Sequence, residues 1–362
     1  MEKPIIAITQ GDTNGIGLEM ILKTFECEEM LDICTPVIYG SPKTATYHRK
    51  QLNSQTSFIV RDTYDQIQHK SVNMLNPFGE EEIKIEFGQA TQESGAAALR
   101  SLVAALKDMK EGRGEMLVTA PMARTNVQKD FPGTTALIEK ALGKGQKALN
   151  LLIHDDLRVA LATKNSPLSE TAGQITKESL TEKLQILDNC LKRDFFIDNP
   201  RIAVLSLNPR CGEEGLFGTE EQEIIKPVID EQFSKGIRCF GPFASDDLFG
   251  SSDYQHFDAI LAMYHDQGVA PFKAICGDAG ISYIAGMPVI VAAPTLGPDF
   301  ANAGKNVANE AAMREAIYTV IDIQNHRNQY DRAHQNTLRK QYFEKRDDSD
   351  KLKLDQVSDD DM

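Results

Sequence analysis

Short apolar runs, each closed by glycine, proline or polar turn residues, alternate along this chain with stretches of helical period. Ile5–Thr9 predicts a buried strand, Gln10–Gly17 a turn-rich loop and Leu18–Phe25 a helix. Thr35–Tyr39 predicts a second strand and Pro42–Gln51 a helix. Residues 52–90 break into short strand-like pieces with polar connections. Thr91–Met109 places Ala96, Leu99, Val103 and Leu106 at helical spacing, and Met116–Ala120 reads as a strand ended by Pro121. Phe131–Thr135 predicts a turn into a helix from Ala136. Asn150–Ile153 and Arg158–Thr163 predict an antiparallel hairpin. Leu180, Leu184, Leu187 and Leu191 stripe one face of a long helix, which reads as core packing.

Arg201–Leu207 predicts a strand running into a glycine loop over 208–215. Thr219-Glu-Glu-Gln222 has the form of a capping box for a helix to about Lys235. Phe257–Met263 and Pro288–Val291 predict two more strands, and Val307–Arg327 a helix. Strands alternating with helices, with no internal repeat, predict an α/β protein with a mostly parallel sheet. From about residue 345 the chain turns Asp/Lys-rich and ends in Ser358-Asp-Asp-Asp-Met362, which predicts a disordered acidic tail over 345–362.

Composition narrows the function classes. The 362 residues are 41% hydrophobic and 25% charged, an ordinary globular balance with room for two lobes. A net charge of −14 and a pI near 5.0 argue against nucleic acid or an anionic membrane as partner. They leave room for a small anionic ligand held by local cations. No run approaches the roughly 20 apolar residues of a membrane span, and the start does not resemble a signal peptide. The six cysteines are scattered without a C-x-x-C pair. A reduced, cytoplasmic protein is the expectation.

Two stretches carry candidate chemistry. Gly11, Asp12, Gly15 and Gly17 lie in a loop between a strand and a helix, where backbone N–H groups can face an anion. The spacing G-x-x-x-G-x-G is neither the dinucleotide fingerprint nor a P-loop, and a simple tight turn explains the glycines equally. Ile260–Lys273, ILAMYHDQGVAPFK, is an apolar strand that delivers His265, Asp266 and Lys273 near its carboxyl end, with Pro271 expected to stop regular structure. A plain strand-to-loop junction with an N-capping Asp266 is the alternative. The basic loop Gly143-Lys-Gly-Gln-Lys147 reads as a solvated turn.

Several segments together resemble the 4-hydroxythreonine-4-phosphate dehydrogenase family of pyridoxal phosphate biosynthesis. They are ITQGDTNGIGLE near the start, VTAP at 118–121, PGTT at 132–135, LNPRCGEEGLFGTEE at 207–221, GPFASDDLF at 241–249 and MYHDQGVAPFK at 263–273. Their order and spacing match up to about residue 330. The resemblance implies the isocitrate/isopropylmalate dehydrogenase-like fold, two α/β lobes with a central cleft forming one unit over 1–344, and a homodimer with sites near its interface. It also implies NAD as hydride acceptor, oxidation and decarboxylation of a phosphorylated hydroxy amino acid, and a divalent metal held by three histidines.

Residue by residue, the resemblance carries over only in part. Of the three metal-histidine positions, Asn165 and Arg210 occupy two and His265 the third. Asparagine is a poor ligand for such a metal and arginine is none, so the metal site is expected to be lost. The substrate positions fall on Thr134, where the family has histidine, on Thr135, on Ser282 in place of asparagine and on Val291 in place of arginine. Arg124 stands for a family lysine, and Asp246 and Lys273 are retained as catalytic candidates, with Lys273 or His265 as a possible general base. The expected function is a dehydrogenase of this family with altered substrate or reduced activity. The alternative is a catalytically inactive paralogue that binds a small ligand or regulates.

Overall fold

A computed structural model describes residues 3–335; the acidic tail lies outside the described residues. Twelve strands form one sheet. They are β1 (Ile5–Thr9), β2 (Thr35–Tyr39), β3 (Ile59–Arg61), β4 (Asn73–Leu75), β5 (Met116–Thr119) and β6 (Leu149–His154). β7 (Leu157–Leu161), β8 (Ile202–Leu205), β9 (Cys239–Phe243), β10 (Ala259–Ala262), β11 (Ile281–Ala285) and β12 (Ile290–Pro294) complete the set. The longer helices are α1 (Gly17–Thr24), α2 (Pro42–Gln51), α3 (Gln92–Lys110) and α4 (Thr134–Leu142). They continue with α5 (Lys177–Arg193), α6 (Lys226–Ser234), α7 (His265–Cys276) and α8 (Ala311–His334). None of the described helices is long and apolar enough to cross a membrane.

The sheet order is β3-β4-β2-β1-β5-β12-β11-β6-β7-β10-β8-β9. Every pairing is parallel except β12–β11, β11–β6 and β6–β7. Three successive reversals make the block β3–β12 run against the block β7–β9. The carboxyl ends of β1 and β5 therefore lie at one sheet edge, and those of β7, β10 and β8 at the other. Strands β2, β5, β8 and β10 are buried throughout, which explains their unbroken apolar runs: helices cover both faces. The leucine stripe of α5 is buried as core.

Several local expectations differ from the structure. Helix α4 starts at Thr134 rather than Ala136, directly after Gly133 at φ 100°. The predicted capping box of Thr219 and Gln222 does not form; beside it, the buried Glu221 carboxylate turns away from its own helix. It accepts the N–H groups of Leu207 at 2.8 Å and Asn208 at 2.7 Å, and the segment 221–225 winds as a π-turn before α6. Pro271 sits inside α7 instead of ending it. β11, between two glycine-containing turns, has no counterpart among the predicted strands, and the last strand falls at Ile290–Pro294 rather than Pro288–Val291. The final helix runs to His334, past the expected Arg327.

One buried histidine gives the fold a pH dependence. His48 on α2 is 1% exposed, and its Nε2–H donates to the Thr13 carbonyl at 2.8 Å. Burial lowers its pKa from 6.5 to about 4, against the opposing effect of that bond. The unfolded chain takes up a proton below about pH 6.5 that the folded chain refuses until about pH 4. Stability should therefore fall by about 3 kcal/mol across that window and level off below it. Urea midpoints measured from pH 7 to pH 4.5 should show a shallower slope for His48→Gln, which keeps a donor for Thr13. Identical slopes for the two proteins would rule this out.

Candidate functional site

The three positions Asn165, Arg210 and His265 follow the carboxyl ends of three adjacent strands, β7, β8 and β10. Their loops are tied together by hydrogen bonds beyond the sheet. Thr163 Oγ1 donates to the Met263 carbonyl at 2.8 Å, and Gln267 Nε2 donates to the Ser206 carbonyl at 2.6 Å while its Oε1 accepts Met263 N–H at 2.7 Å. His265 is therefore the first residue of α7, held by Gln267 two residues along, not a loop residue. Its ring is half-exposed, with Nδ1 3.1 Å from Asp266 Oδ1. An Nδ1–H donated there leaves Nε2 as the free acceptor.

Arg210 opens a run of left-handed backbone, from φ 50° at Arg210 to φ 56° at Glu214. Five such residues in succession, four of them carrying side chains, are costly. Glu221 anchors this loop from below; its carboxylate also accepts Asn208 Nδ2 at 2.9 Å. Arg210 itself points outward, 73% exposed, and pairs with Glu213 at 2.8 Å.

The four candidate substrate residues do converge. Thr134, Thr135, Ser282 and Val291 line one cavity of about 180 Å³, together with Thr119 at the end of β5, residues 120–122 after it and the end of β12. Not one ionisable side chain lines it. Thr135 Oγ1 donates to Asn150 Oδ1 at 3.0 Å, which fixes the start of α4 beside β6. Val291 is a buried apolar wall.

Met122, Thr134 and Thr135 also line a second, larger cavity of about 790 Å³. Arg124, Asn165 and five lysines, at 140, 144, 147, 164 and 183, surround it, with Glu139 as the sole acid. Sequence reading missed these lysines, apart from noticing the basic loop 143–147 and taking it for a solvated turn. The larger signal was dispersed over α4, α5 and the turn after β7.

Asp246 and Lys273 line neither cavity. Asp246 is exposed on the short helix Ser245–Gly250, and Lys273 is exposed on α7. The loop carrying Gly11, Asp12, Gly15 and Gly17 is buried and closed. Asp12 N–H donates to Pro121 O, Gly15 N–H to Asp12 O and Ile16 N–H to Pro298 O. A Cβ on Gly11 would meet the Pro121 carbonyl at 2.5 Å, and one on Gly15 the Pro298 carbonyl at 2.6 Å. The Asp12 carboxylate is taken by Asn14 N–H and Asn126 Nδ2. These glycines admit neighbouring backbone; the amides are not left open for an anion.

Residues 32–320 match the family described as pyridoxal phosphate biosynthetic protein PdxA. The chain belongs to this family. It is 50% identical over 358 residues to 4-hydroxythreonine-4-phosphate dehydrogenase of Bacteroides thetaiotaomicron, covering 98% of both chains. It is 32% identical over 319 residues to the protein of the same name from a Sulfurihydrogenibium species, covering 87% of this chain and 97% of that one. The crystal structure of 4-hydroxythreonine-4-phosphate dehydrogenase from Klebsiella pneumoniae superposes with a TM-score of 0.74 at 25% identity, covering 89% of this chain and 98% of that one. The expected α/β fold class holds over this range.

Within the PdxA family frame, the donor set at the ends of β7, β8 and β10 does not fit a divalent cation. It offers one amide, one permanent cation and one imidazole. Among the described residues, no group of three or more His, Cys, Asp or Glu is placed to hold a metal ion.

Proposed function

We propose that this PdxA-family protein is a nicotinamide-dependent dehydrogenase of a phosphorylated hydroxy acid, working without a resident metal. The single observation that carries the reading is the convergence of Thr134, Thr135, Ser282 and Val291 on one cavity that opens beside a strongly cationic one. A neutral pocket next to five lysines suits a small organic substrate with one anionic end. NAD, when bound, accepts the hydride from the alcohol carbon. The alcohol proton must go to a base of this chain, and His265 Nε2 and Lys273 are the two candidates. Without a metal to stabilise the developing oxyanion, the hydroxyls of Thr134 and Thr135 and a nearby cation are left to do so, which predicts slow turnover.

The reading also takes up the homodimer that the resemblance implies. His265, Asp246 and Lys273 stand apart from the two cavities within one protomer. Leu168 and Leu216 are more than 70% exposed, and Phe217 is half-exposed, which gives a second copy apolar surface near the loops that carry Asn165 and Arg210.

The test is NAD reduction with 4-hydroxythreonine 4-phosphate, with and without chelator, on protein whose mass is taken by sedimentation. Turnover unaffected by chelator, on a species of twice the chain mass, is the expected result. Complete silence under metal-free and metal-loaded conditions would overturn the reading and favour a non-catalytic ligand-binding role.

A further inference from the structure

We infer that the acidic segment Asp355–Asp361 of this chain docks on the lysine-ringed mouth of the larger cavity and competes there with an anionic ligand. The contact stands on charge and chain geometry; only its effect on the substrate rests on the dehydrogenase reading.

The rim supplies the unmatched charge. The chain carries 39 basic and 53 acidic side chains, so an average patch of its surface is acidic and repels an acidic segment. Around this cavity the balance inverts to six cations against Glu139. Lys147 stands 3.8 Å from Glu139, whose other oxygen accepts Ala148 N–H. Among the described residues, Arg124, Lys140, Lys144, Lys164 and Lys183 have no carboxylate within ion-pair distance. Lys140, Lys144, Lys147 and Lys164 are exposed, so they can be met from outside the cavity. Cations gathered without counter-charge repel one another, and a set of carboxylates relieves that cost.

The complementary charge is concentrated in one stretch of sequence. Residues 345–353 read Lys-Arg-Asp-Asp-Ser-Asp-Lys-Leu-Lys, four bases against three acids, which largely neutralise one another. Residues 354–361 hold the aspartates 355, 359, 360 and 361 and no base at all. A block of like charge of this kind is a partner for the opposite charge and cannot pair within itself.

The end of α8 places that segment within reach. A cavity of about 380 Å³ is lined by Gly145, Gln146 and Lys147 of the basic turn and by Arg193 and Arg327. Arg327 lies on α8, and Asp331, one turn further along, pairs with Arg193 at 2.7 Å. The last turn of α8 thus sits against the same side chains as the basic turn. From Gln335 to Asp359 the chain can span up to roughly 80 Å, ample to reach the rim. A segment tethered to the same chain meets the rim at an effective concentration of about a millimolar, so a weak charge contact suffices to occupy it.

The test treats the full-length protein with a carbodiimide, which joins a lysine amine to a touching carboxylate as an amide while the reagent takes up the water. Mass spectrometry of tryptic peptides separates residues 354–362 from residues 347–351. Crosslinks from Lys144, Lys147 or Lys164 to 354–362, in material of single-chain mass, are the expected result. In calorimetry at low salt, the triple variant Asp359→Asn, Asp360→Asn, Asp361→Asn should bind 4-hydroxythreonine 4-phosphate about tenfold more tightly than the parent. The gap should close at about 1 M salt, where charges are screened beyond about 3 Å. Asp347→Asn, Asp348→Asn, Asp350→Asn removes as many carboxylates and should change nothing. No crosslink to 354–362, crosslinks only between chains, or an equal effect of the two triple variants would each overturn the docking. Crosslinks with no NAD reduction by parent or variant would uphold the docking and reject the dehydrogenase reading; NAD reduction without crosslinks would do the reverse.

Discussion

Arg327→Met should lower the unfolding free energy by about 3–5 kcal/mol. Arg327, Asp194 and Tyr283 are each at most 5% exposed. The guanidinium meets the carboxylate twice, Nε to Oδ1 at 2.6 Å and Nη2 to Oδ2 at 3.2 Å. It also donates to the carbonyls of Met287 at 3.1 Å and Pro288 at 3.2 Å. The Tyr283 hydroxyl donates to Asp194 Oδ2 at 2.7 Å; burial and that carboxylate push its pKa well above the ordinary range, so it stays a donor.

This cluster joins the end of α5, the strand β11 and the middle of α8, so it locks the helix that crosses the central strands to the region where the sheet changes direction. Removing the guanidinium strands a buried carboxylate and two carbonyls, which is the costly way to break a pair. Replacing both charges, as in Arg327→Met with Asp194→Leu, should recover much of the loss, because a hydrophobic pair leaves no unpaired charge. Urea unfolding of the single and double variants measures both effects. A single-variant loss under about 1 kcal/mol would show that water reaches the carboxylate and that the cluster is not sealed.

The parts of this fold that could be read in the sequence are those in which one segment decides its own state. Ile5–Thr9, Thr35–Tyr39 and Ile202–Leu205 are apolar because helices cover both sheet faces, and they declare themselves. The parts that could not be read are those settled by distant partners. Thr219–Gln222 has the sequence of a capping box, but within it Glu221 is taken by the amides of Leu207 and Asn208, and a buried carboxylate without them would be stranded. Pro271 fits inside α7 because Gln267 is bonded across to Ser206 and Met263, so the helix start is held by its side chain as well as its backbone. Of the small cavity, the family resemblance named four lining residues, Thr134, Thr135, Ser282 and Val291. The lysines were not legible, since they are spread from residue 140 to residue 183 and only folding gives them a shared direction.

Restoring two histidines should create a metal site from a donor set that, as it stands, is one amide, one guanidinium and one imidazole. Asn165→His with Arg210→His should bind about one zinc per chain after dialysis, whereas the parent and each single variant should retain a small fraction of an equivalent. β7, β10 and β8 are adjacent and parallel, and the bonds Thr163–Met263 and Gln267–Ser206 hold the loops after them in fixed relation. Two imidazoles added to His265 would supply the three neutral nitrogen donors that leave a fourth position open. Either single variant gives only two, too few to hold the metal with useful affinity.

Arg210 is exposed and paired only with Glu213, so its replacement should cost about 1 kcal/mol of stability or less. The left-handed backbone of the loop is held by Glu221 and does not depend on that side chain. Metal analysis by mass spectrometry reads the outcome directly, without requiring activity. If zinc restores fast turnover in the double variant, the cavity beside Asn165 still accepts the ancestral substrate. If zinc binds and turnover stays slow, the ligand does not reach the metal position, and the change from arginine at Val291 is the first candidate cause. A full equivalent of zinc in the unmodified protein would refute the loss of the site altogether.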